Sequence, residues 1–396
     1  MSTLKVDAIR HNSATSDAIT TAADGTCTAK LTSVGGGQLS HRNVIVNGGM
    51  TIAQRATSST SNGYQTMDRW YVYAANHSVT VTTAQVDITS GNAYDDGFRK
   101  AAKISLSGAG TLANNTEILL YQKIEAQDLA NSGWNYKSAS SNITLSFWVK
   151  SSTAQAFAAH IRTEDGTAYL YSFTYTVAQA NVWQKITKTI PGNSNITIND
   201  DNGSGLRVYA GVPAIGSDYT SGTADTWLVS SSSNKFPSVP NTWLTAGAST
   251  FELTGVQLEV GDTATSFEHR TYQDEFLRCC RYYQQLTGDD RGYNGGGSTG
   301  SFKNSVIGIY NGVTDVRAVY YHIVPMRDSP TFTLLGAVSD FDLEPFDRAP
   351  SSIAMNRASP FQTTLLIADS GSATKGDACL VTIDTAAGGL AFSAEL

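Results

Sequence analysis

The feature that most constrains this chain is a series of short apolar runs at strand period between residues 43 and 260, each closed by Gly, Asn, Asp or Ser. NVIVNGGM (43–50), DRWYVYAA (68–75), SVTVTTAQVDI (78–88) and KAAKISLSG (100–108) open it. TEILLYQKI (116–124), NITLSFWVKSS (142–152), AFAAHIRT (156–163), AYLYSFTYTV (168–177) and VWQKITKTIP (182–191) continue it. LRVYAGVP (206–213), TWLVSS (226–231) and STFELTGVQLEV (249–260) complete it. Runs of this length between turn residues predict a β-sandwich over 43–270. Within it, Leu145, Phe147 and Val149 share one face while Trp148 takes the other, so both faces of that strand should be covered. Only 124–132, IEAQDLANS, hints at a helical turn.

A chain of 396 residues exceeds one ordinary core, so a second domain is expected. β patterning returns in SVIGIYNGV (305–313), DVRAVYYHIVP (315–325), PTFTLLGAV (330–338), TTLLIADS (363–370), ACLVTIDT (378–385) and GLAFSAEL (389–396). These predict a smaller β-sandwich over 289–396. Residues 1–42 are small and polar, with LKVDAI (4–9) and AITTAADGTCTAKL (18–31) as short strands around an Asp24-Gly25 turn. They hold too few large apolar groups for a core, so they are expected to pair with copies of themselves or with another protein.

Charged residues make up only 15% of the chain, against about a quarter in ordinary domains, with Ser, Thr, Asn and 35 glycines in their place. The net charge of −7 argues against a phosphate-backbone binder, so no nucleic acid is expected. No apolar run is long enough to span a bilayer, and MSTLKVDAIRHNSATSDAITT lacks the apolar stretch of a signal peptide. Cys27, Cys279, Cys280 and Cys379 form no disulfide or metal framework, which fits synthesis in a reducing compartment. The sequons at Asn76, Asn114, Asn142, Asn195 and Asn202 then read as turn chemistry rather than glycan sites.

Between the two β regions, GVQLEVGDTATSFEHRTYQDEFLRCCRYYQQL (255–286) changes from strand to helix period. Thr271 should cap a helix over 272–286, with Asp274 and Glu275 in its first turn and Arg278 and Arg281 later. Tyr272, Phe276, Cys279 or Cys280, Tyr283 and Leu286 form one apolar stripe, ended by Gly288. The stripe either plugs the base of a neighbouring β domain or meets identical stripes about a symmetry axis. Segment 271–288 would thus be a stiff connector.

Catalytic signatures are sparse. The six histidines are scattered, with no HxxxH or HxH pair for zinc, and no GxSxG elbow occurs. The formal GxGxxA match at Gly108, Gly110 and Ala113 lacks a following helix and reads as a turn between strands. The doublets Asp95-Asp96, Asp200-Asp201 and Asp289-Asp290 read as solvated turns, since glycosidase carboxylates come from separate strands. Asp200 and Asp201, in NDDNGSG, also resemble the start of a calcium loop, although the glutamate that closes an EF-hand is missing. Rings in or beside loops, namely Tyr64, Tyr94, Trp134, Tyr136, Tyr219, Trp243 and Tyr293, are candidates to stack on a sugar. Most of them are expected to be core or sheet-edge residues.

VNGGMTIAQR...YQTMDRWYVY (46–73), ITLSFWVKSS (143–152), WQKITKTIPG (183–192) and TGVQLEVGDTATSFEHRTYQDEFLRCCRYYQ (254–284) together resemble bacteriophage tail fibre or receptor-binding proteins. The resemblance is to those of marine and other tailed phages, whose central module is a jelly roll like that of carbohydrate-binding modules. MSTLKVDAIR is similar to the virion-proximal ends of such fibres, and GGLAFSAEL to their tips. It implies a homotrimer made in the infected cell's cytoplasm. The N-terminus would sit on a virion tail or adaptor protein, and the tips would bind a host surface glycan without membrane insertion. It brings no catalytic residues and no cofactor. On that frame Asp289, Asp290, Arg291 and Tyr293 are the candidate receptor contacts, and Tyr272, Phe276, Cys280 and Tyr283 the trimer or junction stripe. A glycan depolymerase and a purely structural baseplate or adaptor protein are the alternatives.

Overall fold

Successive side chains of a strand point to opposite faces, and in the computed structural model the apolar faces close two main cores. The structure describes residues 6–10, 19–23, 41–288, 304–371 and 373–396, and residues 27–29 by backbone alone. The fold is mainly β, as expected.

The central domain stacks two six-stranded sheets. One orders Trp227–Val229, Tyr169–Val177, Gln155–Thr163, Ser204–Ile215, Leu112–Glu125 and Tyr71–His77. The other orders Gln184–Pro191, Asn142–Ser151, Thr250–Val260, Lys100–Leu106, Val81–Asp87 and Ser58–Ser59. All pairings are antiparallel among the described strands. Between the sheets lie Trp70, Phe147, Phe157, Phe173, Trp243 and Phe251. Phe157 meets Phe251 edge-on with centroids 5.3 Å apart. Trp148, on the outer face, is covered by Phe98 and Trp183, so its strand is buried on both sides as its sequence requires. The helical hint at 124–132 becomes Ala126–Ala130.

Residues 43–50 depart from expectation. They form no ladder: two backbone bonds, Val44 N to Leu258 O and Val256 N to Gly48 O, reach the strand Thr250–Val260, and side chains supply several of the rest. Gln122 accepts from Val46 N and donates to Val46 O, while Asn43 Oδ1 accepts from Ile45 N and Leu258 N. Gly48 fits here because a Cβ would overlap the Val256 carbonyl. The result is a buried strap across the mouth of the sandwich.

The C-terminal domain packs a six-stranded sheet on a three-stranded one. The larger orders Phe341–Glu344, Ala378–Ile383, Ser305–Tyr310, Asp315–Tyr321, Gln362–Ala368 and Ser352–Ala358. The smaller orders Tyr283–Thr287, Gly389–Ser393 and Thr331–Leu335. Tyr320 stacks on Phe392 in the core between them, with ring centroids 4.6 Å apart.

That smaller sheet corrects the helix. Thr271 caps it as expected, its hydroxyl accepting from Asp274 N at 3.2 Å, but the helix runs only Tyr272–Cys280. Every residue of Tyr283–Thr287 pairs with the final strand instead. Gln284 Nε2 donates to Cys280 O at 2.9 Å, satisfying one carbonyl at the shortened end.

The two domains meet without a slack linker. Glu125 of the central domain accepts both Arg281 Nε and Nη2 at 2.7 Å, and Tyr282 Oη at 2.5 Å. Arg69, buried in the central domain, pairs with Glu395 and lies 3.4 Å from the centroid of the Tyr282 ring. Arg55 repeats the arrangement with Glu395 at 3.2 Å and the Tyr283 ring at 3.6 Å. Tyr64 Oη donates to Leu396 O. The last residues of the described chain are therefore fastened to the first sandwich.

At the N-terminus, Ala8–Ile9, Ile19–Thr21 and Cys27–Ala29 form a small antiparallel sheet. The Asp24-Gly25 turn lies outside the described residues.

Candidate functional site

The strongest candidate lies on the outer face of the first sheet. Its strands alternate, with Ile118, Leu120, Ile161, Leu206 and Val208 pointing into the core. Tyr71, Tyr121, Arg207, Tyr209, His160 and Arg162 therefore point outward. The register aligns them in two rows. Tyr71 pairs with Tyr121, and Tyr209 pairs with His160. One step along the strands, Lys123 pairs with Arg207 and Arg207 with Arg162.

The aromatic row is packed on itself. Tyr71 stacks on Tyr121 at 4.9 Å, Tyr121 meets Tyr209 at 4.8 Å, and Tyr209 meets His160 at 4.2 Å between ring centroids. Phe236, from the loop after Trp227–Val229, caps His160 at 4.5 Å. These rings are a secondary core rather than an open stacking platform.

Beside them is a cavity of about 310 Å³ lined by His160, Arg162, Leu170, Arg207, Tyr209, Ser230, Ser231, Ser232 and Lys235. Ser231 and Ser232 stand exposed at its rim, while His160 is only 1% exposed at its floor. The His160 tautomer follows from its partner. Nδ1 lies 2.8 Å from Lys235 O, a carbonyl that only accepts, so Nδ1 carries the proton and Nε2 presents a lone pair. Burial drives the His160 pKa down to about 3, which keeps the ring neutral. Nε2 has no partner, and neither do the buried Nε atoms of Arg162 and Arg207. One acceptor, several donors and rim hydroxyls suit a polyhydroxylated guest, and the volume is at the small end of ligand sites, about one sugar unit.

The carboxylates nearby are engaged. Glu164 accepts Arg207 Nη2 at 2.6 Å and pairs with Arg162 at 3.0 Å. Glu117 pairs with Lys235 at 2.7 Å. A larger groove, about 600 Å³, runs beside the helix between His41, Thr271, Arg278 and Pro325. Its polar groups already face one another, as where Arg278 Nη2 approaches His41 Nδ1 at 3.4 Å.

The sequence candidates are dispersed. Asp289, Asp290, Arg291 and Tyr293 lie outside the described residues. Tyr272 is exposed and stacks parallel to Phe276, which packs towards Val46, Ile52 and Cys279. Cys280 is buried, and Tyr283 lies in a strand beneath Arg55. The four thus form no continuous stripe. Asp200 accepts from Asn131 Nδ2 at 3.0 Å and Asp201 from Gly203 N at 2.9 Å. Among the described residues no cluster of His, Cys, Asp and Glu is placed to hold a metal ion.

Of the rings flagged in loops, Trp134 and Trp243 are core residues whose indoles donate to Ser141 O and Thr250 O. Tyr136 donates to Ile198 O, and Tyr94 lies under Arg99. Tyr64 extends the aromatic row by an edge contact with Tyr71, and Tyr219 lies 4.1 Å from the Lys235 ammonium. The sequence reading missed Tyr71, Tyr121, Tyr209 and His160. The signal was present in their strands, where each alternates with aliphatic residues.

No family model matches the sequence, and no curated protein matches it. Solved structures similar to it include the enzymatically active domain of tailspike protein 4 of bacteriophage CBA120. That likeness is 12% identical, covers 55% of this chain and 21% of that one, and has a TM-score of 0.29. The chain thus spans about a fifth of the tailspike domain. A putative sugar-binding protein from Bacteroides thetaiotaomicron is 14% identical over 55% of this chain and 99% of its own, with a TM-score of 0.31. A family 11 carbohydrate-binding module from Clostridium thermocellum is 12% identical over 54% and 98%, with a TM-score of 0.23. Overlaps this small carry no functional argument, and the sandwich is defined by its own strand pairing.

Proposed function

We propose that the chain is a non-enzymatic phage tail-fibre protein that attaches the virion to a bacterial surface by binding a glycan. The observation that carries the binding role is the cavity on the outer face of the first sheet. It is a space of sugar size lined by His160, whose buried Nε2 acceptor has no partner, and by the exposed Ser231 and Ser232. Both carboxylates beside it are held in ion pairs, which suits holding a sugar better than cleaving one.

The fibre role rests on the sequence resemblance, supported by the fused junction. A particle-to-receptor strut has to pass force and orientation through its joints, and the Glu125, Arg281 and Arg69, Glu395 pairs make this joint stiff. Trimerisation belongs to the same proposal. Three copies would multiply weak single-site binding by roughly 10²–10⁴ through avidity. The tip loop with Asp289, Asp290, Arg291 and Tyr293 remains a proposed second contact, and deleting 289–300 should weaken cell binding.

The test is binding of the purified chain to bacterial surface polysaccharide. The rim-filling Ser231→Trp should abolish binding with the melting temperature retained, and His160→Ala should abolish it in a folded protein of lower melting temperature, since the ring packs on Tyr209 and Phe236. Full binding by both folded variants would overturn the cavity assignment. Shortening of the polysaccharide during incubation would instead establish the depolymerase.

A further inference from the structure

The cationic row next to the cavity is costly to the fold. Lys123 and Arg207 are directly paired across strands, and so are Arg207 and Arg162, all on one face. Like charges placed directly opposite one another destabilise a sheet. Glu164 is the carboxylate that answers them, and it is shared between Arg207 and Arg162. Lys123 forms no ion pair among the described residues, although it is half-buried. Burial first, and then Arg207, pull its pKa below that of an ordinary lysine. Arg207 is held in place from the other side: Nη1 donates to Tyr209 Oη at 2.9 Å, and the guanidinium lies 5.0 Å from the Tyr121 ring centroid. Its Nε and that of Arg162 are buried donors without acceptors. Three cations on one face with Glu164 as their shared carboxylate, beside two buried guanidinium donors without acceptors, favour an anion here.

We propose that this face takes an anionic saccharide, its acid group on Lys123, Arg207 and Arg162 and a sugar hydroxyl donating to His160 Nε2. The inference rests on the cavity being the glycan site, and adds the chemical class of the glycan. The acid group sits on the sugar itself, because the acceptor and the rim serines are adjacent to the cations and require hydroxyls. A uronic carboxylate and a sugar phosphate share this chemistry.

The experiment is an array of bacterial surface saccharides carrying carboxylate, phosphate or sulfate, each beside its neutral parent. It is probed with the full chain and with Lys123→Gln and Arg162→Gln, with melting curves for each. Acidic members should bind at least tenfold better than their neutral parents, and raised salt should weaken them. Lys123→Gln should cost roughly tenfold on acidic members alone. Carboxylate against phosphate members identifies the source of the charge. Equal binding of acidic and neutral members, abolished in both by His160→Ala, would overturn this inference and leave the glycan reading standing. Inorganic phosphate binding with no saccharide bound, or no binding at all, would overturn both.

Discussion

Asp68 is buried, and burial pushes its carboxyl up to about 6, against hydrogen bonds from Gln54 that pull it down. The folded state therefore keeps a proton that the unfolded chain, at 3.8, has released. That contribution to stability is present at low pH and is lost as pH rises towards 6. His160 does the reverse. Its folded pKa of about 3 lies below the ordinary 6.5, so its contribution is present above 6.5 and is lost as pH falls. Melting curves between pH 4 and 7 separate the two. The Asp68→Asn variant should gain on the wild type as pH rises, and His160→Gln should gain as pH falls. Parallel profiles for both would show that neither proton is held as described.

At the scale of elements, the capped helix is short, and its cap is correspondingly important. Thr271→Ala removes an acceptor for Asp274 N and should cost about 1 kcal/mol in unfolding experiments. Removing Arg281 should do more. Glu125, fully buried, would keep only Tyr282 and Gln127 as donors, so Arg281→Ala should cost about 2–3 kcal/mol. It should also split one calorimetric transition into two, because the domains would no longer unfold together. A single unshifted transition would show that the joint does not couple them.

The same elements show what the sequence carried. The strands were legible because alternation is local, and the cap because Thr271 and Asp274 are neighbours along the chain. The end of the helix was not. Tyr283 and Leu286 continue the helical spacing, and their true partners wait at Ser393 and Leu390. The strap at 43–50 misled for a related reason, since it shares only the bonds Val44 N to Leu258 O and Val256 N to Gly48 O with the strand Thr250–Val260, and the Gln122 and Asn43 side chains supply others. The site was half legible. The outward positions of Tyr121, Tyr209 and His160 follow from alternation, but their adjacency depends on register between distant strands. Loop tryptophans were poor guides, because buried indoles bind backbone carbonyls inside the core.

At the scale of the whole molecule, one surface is unlike the rest. In the C-terminal domain Ile307 pairs with Leu380 across strands, and Ile309 follows on the same outward face. Ile307 is 70% exposed and Ile309 54%, in the middle of a six-stranded sheet where solvent-facing residues are normally polar. Such a patch favours association, and a closed cyclic assembly would bury it three times over without leaving an open edge. Light scattering after size exclusion should give a native mass near three times 42.1 kDa. Ile307→Asp should lower that mass while the central cavity still binds saccharide, since the two lie in separate domains. A wild-type monomer would remove both the trimer and its avidity, leaving the cavity as a single weak site. A trimer unchanged by Ile307→Asp would move the contact elsewhere, with the small N-terminal sheet and its exposed Ile9 the next place to substitute.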